Sequence, residues 1–171
     1  NEPKRRRHLQ VRLDLDTDIP THHVGAELGN ATQSVANAVA VDATGRFVSV
    51  GYQCGDTCKP EATLWAHAPS GALNAYIPLG SDIAAPFAVS ASPAGYVVVA
   101  GARNKGAWWS TFWMAAYYLN DDEPFSPEWT FEKDEAPQLQ YAAAVAVGPV
   151  GHVYGGGVGA NNFPAVVYVT P

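Results

Sequence analysis

Three stretches of the chain carry the same pattern of apolar and polar positions. They are AVAVDATGRFVSVG (Ala38 to Gly51), AVSASPAGYVVVAG (Ala88 to Gly101) and AVAVGPVGHVYGGG (Ala144 to Gly157). Each opens on a strand of period two, with Ala38 and Ala40, Ala88 and Ser90, or Ala144 and Ala146 on one side and Val39 and Val41, Val89 and Ala91, or Val145 and Val147 on the other. Alternation of this kind predicts a β-strand with two distinct faces. The small face predicts close packing against a neighbour. DATG, SPAG and GPVG then supply Pro and Gly for a tight turn. RFVSV, YVVVA and HVYGG follow, rich in β-branched and aromatic residues, and predict the return strand.

A third strand repeats as ATLWAHA, STFWMAA and AVVYVTP, and the alignment puts Trp65, Trp113 and Tyr168 at one register. A fourth follows in the first two copies, ALNAYIPL and PEWTFEK, and has no counterpart in the third. The paired glycines, Gly45 with Gly51, Gly95 with Gly101 and Gly151 with Gly157, recur at spacings near fifty residues. A period of this length marks propellers and solenoids. The expected fold is therefore all-β: a β-propeller of about three four-stranded antiparallel blades per chain. The ring would be completed by a second copy, making six blades, or by the rest of a longer chain. The divisions are blade one over 30–80, blade two over 81–134 and blade three over 138–171, the last without its outer strand.

HLQVRLDLD alternates Leu9, Val11, Leu13 and Leu15 against Gln10, Arg12, Asp14 and Asp16. It predicts a strand over 8–18 that closes the last blade and removes an exposed edge. Residues 1–7 read as a disordered basic terminus.

These residues resemble the β-propeller repeats of bacterial secreted and cell-surface proteins, of the NHL-like or SBBP type. Those share the run AVAVD-x-x-G-x-x-x-V-x-G followed by an aromatic-bearing third strand. The resemblance covers about residues 35–171 and implies architecture and an extracellular, periplasmic or surface location. NHL repeats proper tend to carry Asp after the second strand, where this chain has Gly51, Gly101 and Gly157, so no NHL enzyme activity carries over.

Charge narrows the partners. Net charge is −6, yet Lys4, Arg5, Arg6 and Arg7 hold four of the ten basic residues. The remainder carries six basic residues against fifteen acids besides Glu2. An acidic body excludes nucleic acid as the main partner. No apolar run is long enough for a membrane helix.

Candidate chemistry is sparse. Cys54 and Cys58 in QCGDTCKP can close a small disulfide, and no neighbouring His is at hand to make a zinc site. Asp14, Asp16 and Asp18 have the spacing of a calcium loop. Its sixth and twelfth positions, however, are Ile19 and Gly25 rather than Gly and Glu. His22 and His23 are adjacent and point opposite ways in an extended chain. No cofactor is assigned; calcium is the one considered, and Asp14, Asp16, Asp18, His22 and His23 are the weak metal candidates. Asp121, Asp122 and Glu123 form a second acidic loop. GAWWSTFW sets Trp108 and Trp109 beside the polar ARNK. Neither tryptophan has a repeat counterpart, and exposed aromatics stack on sugars or anchor proteins. Trp108, Trp109, Arg103 and Asn104 are the expected ligand-binding residues.

The expected function is a non-enzymatic binding or assembly module that recognises a glycan or a protein through its loops, as a homodimer. The alternative is a propeller hydrolase or lyase with a channel metal, drawing on His22, His23, His67, His152 and Asp42. Asn37 is one of the few polar residues expected on the inner strands.

Overall fold

The computed structural model describes residues 7–14, 19–27, 33–54, 60–106, 109–119, 126–134 and 139–170. Thirteen strands are assigned among them. β1 (Arg7–Asp14) and β2 (Ile19–Glu27) form a two-stranded antiparallel sheet. The first large sheet is β3 (Gln33–Val41), β4 (Phe47–Cys54), β5 (Pro60–His67) and β6 (Leu73–Gly80). The second is β7 (Ile83–Ala91), β8 (Tyr96–Gly106), β9 (Trp109–Tyr118) and β10 (Trp129–Lys133). The third is β11 (Tyr141–Val147), β12 (Val153–Val158) and β13 (Pro164–Val169). In each, strands follow chain order and every pairing is antiparallel. The all-β expectation holds, with four, four and three strands. Among the described residues no helix is long and apolar enough to cross a membrane.

The repeat exists because its two glycines do two different jobs. Gly45, Gly95 and Gly151 take φ of 81°, 91° and 84°, which side-chain-bearing residues rarely adopt. The same turn forms three times. Gly45 N donates to Asp42 O at 3.0 Å, Gly95 N to Ser92 O at 3.1 Å and Gly151 N to Gly148 O at 3.0 Å. The second glycine faces a β-bulge. The first strand shifts register between Ala36 and Ala38, Pro86 and Ala88, and Ala142 and Ala144. A Cβ on Gly51, Gly101 or Gly157 would strike the carbonyl oxygen of Val35, Ala85 or Tyr141.

Equivalent positions give every sheet a forward and a rear face. Val48 and Val50 on the forward face of the first sheet share one core with Val97, Val99, Trp113 and Ala115 on the rear of the second. Val98, Ala100, Phe112 and Met114 on the forward face of the second share another with Val153, Ala165 and Val167 on the rear of the third. Burial of each Val, Phe or Met among them contributes roughly 1.5–3 kcal/mol. Gly155 leaves room for this contact, since a Cβ there would meet Met114 Sδ and, at 3.1 Å, the Phe112 ring.

The opening strands of the three large sheets neighbour one another, β3 beside β7 and β7 beside β11. Asn37 Nδ2 donates to Pro86 O at 2.8 Å, and Val147 N donates to Ser90 Oγ at 3.2 Å. Asn37 thus joins two backbones. The small faces pack as expected in the first two copies, where Ala38 and Ala40, then Ala88, lie against a core. In the third copy Ala144 and Ala146 are exposed.

Two expectations change. β1 pairs with β2, Arg7 opposite Glu27 through Asp14 opposite Ile19, and not with the third sheet. Of the expected strand over 8–18, the residues up to Asp14 are strand, and 15–18 lie outside the described residues, as do 1–6. Nor do the third-strand aromatics share a register. Trp113 stands opposite Gly101, but Gly51 faces Thr63 and Gly157 faces Ala165. Trp65 pairs with Ser49 and Tyr168 with Tyr154, so Tyr168 falls on the other face. Period two fixes which residues share a face but not the offset between strands.

Candidate functional site

Arg103 and Lys105 lie near the end of β8, where the expected ligand site falls. Asp82, in the β6–β7 turn, lies 2.6 Å from Arg103 Nη2. Glu132 on β10 accepts from Arg103 at 3.1 Å, from Lys105 at 2.6 Å and from Thr111 Oγ1 at 2.7 Å. The Arg103 pKa is raised, chiefly by its hydrogen bond to Asp82. Burial would raise that of Glu132, but the bonds from Lys105 and Thr111 outweigh it and hold the carboxyl below its ordinary range. Two cations thus meet two anions, and the network neutralises itself. Beside it a cavity of about 180 Å³ is lined by Asp82, Arg103, Trp113, Tyr117 and Thr130. Burial of the Tyr117 phenol pushes its pKa up to about 12.

Trp109 is half-buried opposite Gly106, and a Cβ on that glycine would lie 2.8 Å from its indole nitrogen. The ring therefore lies over its own hairpin. Asn104 is exposed, and its backbone N donates to Asp82 O at 2.7 Å. Trp108 lies outside the described residues. The structure gathers Arg103 with acids rather than with an open aromatic platform.

Of the residues of the enzymatic alternative, Asp42, His67 and His152 are engaged locally. Asp42 is buried and caps its own turn. Its Oδ1 accepts from Thr44 N at 2.8 Å, Thr44 Oγ1 at 2.7 Å and Arg46 N at 3.0 Å, and its Oδ2 from Arg46 Nε at 2.6 Å. Burial opposes its charge, but these bonds prevail and its pKa is lowered. His67 is sealed in the first sheet and stacks on Phe47 with centroids 5.3 Å apart. Burial lowers its pKa against an opposing hydrogen bond with the Gly71 backbone. His152 Nδ1 lies 3.0 Å from the Tyr168 hydroxyl. His22 and His23 pair with Arg12 and Val11 across the β1–β2 sheet, where Asp14 faces Ile19. Asp16, Asp18, Asp121, Asp122, Glu123 and Cys58 lie outside the described residues. Cys54 is buried at the end of β4. No cluster of three His, Cys, Asp or Glu that could hold a metal occurs among the described residues.

The feature the sequence did not announce is the forward face of the third sheet. Equivalent faces of the first two sheets are closed by the next sheet in the stack. Here Tyr154 is 46% exposed, Val166 81% and Tyr168 50%. Tyr154 and Tyr168 pair across β12 and β13 with rings 5.1 Å apart, and His152 meets Tyr168 edge-on at 5.3 Å. The result is an open, largely apolar sheet surface. Its signal in the sequence is the aromatic pair at positions where the other copies carry Val48 with Ala66 and Val98 with Ala116. The chain matches no family model and no curated protein.

Proposed function

We propose that the chain is a non-enzymatic assembly and binding module whose three sheets are blades of a β-propeller of the NHL-like or SBBP kind, extended by a second copy. One observation carries this reading: the third sheet is open on the face that the first and second sheets bury. A sheet face bearing Tyr154, Val166 and Tyr168 recognises another sheet face by apolar contact, as its two predecessors do. The antiparallel order of the strands and the recurrent bulge glycines support the blade reading. No catalytic constellation competes with it among the described residues, since Asp42, His67 and His152 serve their own strands and turns. Its place is extracellular, periplasmic or on the cell surface, where a Cys54–Cys58 disulfide persists.

The test is solution mass by light scattering. Twice the 18.1 kDa of one chain is expected. Val166→Glu should return a folded single chain, because that side chain stands in solvent within one copy. A single-chain mass for the unmodified protein at all concentrations overturns the proposal. Thiol titration of denatured, unreduced protein should find no reactive cysteine, and two reactive thiols would remove the disulfide and the argument for location.

A further inference from the structure

The following rests on the reading of the chain as one half of a homodimer. The first and second sheets end on a fourth strand, β6 and β10, whereas the third ends on β13. No strand pairs with the outer edge of β13 among the described residues. Such an edge presents a row of backbone donors and acceptors that a further strand can use. Beside it lies a cavity of about 280 Å³ lined by Tyr96, Trp129, Phe131, Val153 and Val169. Trp129 and Phe131, on the forward face of β10, are only half-buried there. On β6, the corresponding strand of the first sheet, Ile77 and Leu79 are sealed in the core shared with the second sheet. The unfilled volume lies where the inward side chains of a fourth strand in the third sheet would go.

We infer that β13 and this aromatic cavity receive the N-terminal strand Arg7–Asp14 of a second copy, added edge to edge as the fourth strand. The sequence of that strand alternates Leu9, Val11 and Leu13 with Gln10, Arg12 and Asp14, the pattern of a strand with one face buried. Its eight residues are enough to pair the six of β13 from end to end. The basic run Lys4 to Arg7 leads directly into it, and the rest of the molecule is strongly acidic, so charge favours the approach. Within one chain β1 is paired with β2 beside β3 of the first sheet. The second sheet separates that position from β13, a distance of roughly 20 Å at ~10 Å per packed sheet. The strand that reaches β13 is therefore the neighbour's.

The test uses the full chain and a synthetic peptide, RHLQVRLDLD, corresponding to Arg7–Asp16. Added in excess to unmodified protein, the peptide should convert the dimer to a single chain with peptide bound. Emission should not change in this exchange, because the peptide replaces a strand of the same sequence. Added to the single-chain variant V11D/L13D, the peptide should shift tryptophan emission to the blue, and the shift should be lost when Trp129→Phe is also present. The double variant V11D/L13D should have the mass of one chain while keeping the β-sheet circular dichroism of the parent. A dimer that survives both the peptide and the double variant overturns the strand and leaves the homodimer standing. A single-chain mass for unmodified protein overturns both.

Discussion

Gly51, Gly101 and Gly157 are read in the sequence as spacing marks, but their work is steric. Each sits under a carbonyl oxygen that the bulge of the preceding strand pushes toward it. Gly101→Ala should destabilise the fold by about 1–3 kcal/mol, the cost typical of overpacking. Gly156→Ala, where a Cβ meets nothing within 4 Å, should change it by less than about 0.5 kcal/mol. Urea unfolding of the pair checks both. Asp42 is the other residue whose role only the structure supplied. Its folded pKa is below the ordinary 3.8, so its contribution is complete above that value and fades as pH falls through the folded pKa. Asp42→Asn should cost about 1–2 kcal/mol at neutral pH and flatten the acid limb of a stability–pH curve. An unchanged limb would show that other carboxylates set it.

At the scale of the strand, alternation told which residues share a face, but not how strands align or which face is buried. Trp65, Trp113 and Tyr168 align by eye, yet each sits at its own distance from the repeat glycine and Tyr168 points out of the stack. Periodicity reports only which side a residue takes, while register is set by bulges and turns that tie one strand to the next. The consequence is measurable. Trp113→Ala should cost about 3–5 kcal/mol, as for a large buried aromatic. Tyr168→Ala should be nearly neutral for folding, and equal losses would restore the aligned register. The ARNK segment was legible as polar and next to aromatics. That Arg103 would be taken up by Asp82 and Glu132 was not, because Asp82 arrives from the β6–β7 turn 21 residues before it and Glu132 from a strand 29 residues on. Arg103→Ala should therefore lower stability slightly, by up to about 1 kcal/mol for pairs this accessible. It should leave the solution mass unchanged.

For the molecule as a whole, stability depends on groups held neutral where they are buried, His67 against Phe47 on the rear face of the first sheet and Tyr117 in the core between the first and second sheets. His67 has a folded pKa below the ordinary 6.5. Its contribution is present above that value and is lost as pH falls from there through the folded pKa. Tyr117 acts at the other end. Its folded pKa of about 12 exceeds the ordinary 10, so its contribution holds below pH 10 and is lost as pH rises toward 12. Thermal unfolding across pH should show both limbs, with Tyr117→Phe weakening the alkaline one, to which the half-buried phenols of Tyr52 and Tyr76 also contribute. Chain order, alternation and turn glycines are local properties, so the sequence by itself determined the strands of the three large sheets and their grouping into three repeats. Which faces are sealed and which left open depends on what stacks against each sheet. The exposed Tyr154, Val166 and Tyr168, the unfilled cavity at Trp129 and the neutralised Arg103 were therefore decided only by the tertiary structure, where residues distant in the chain come into contact.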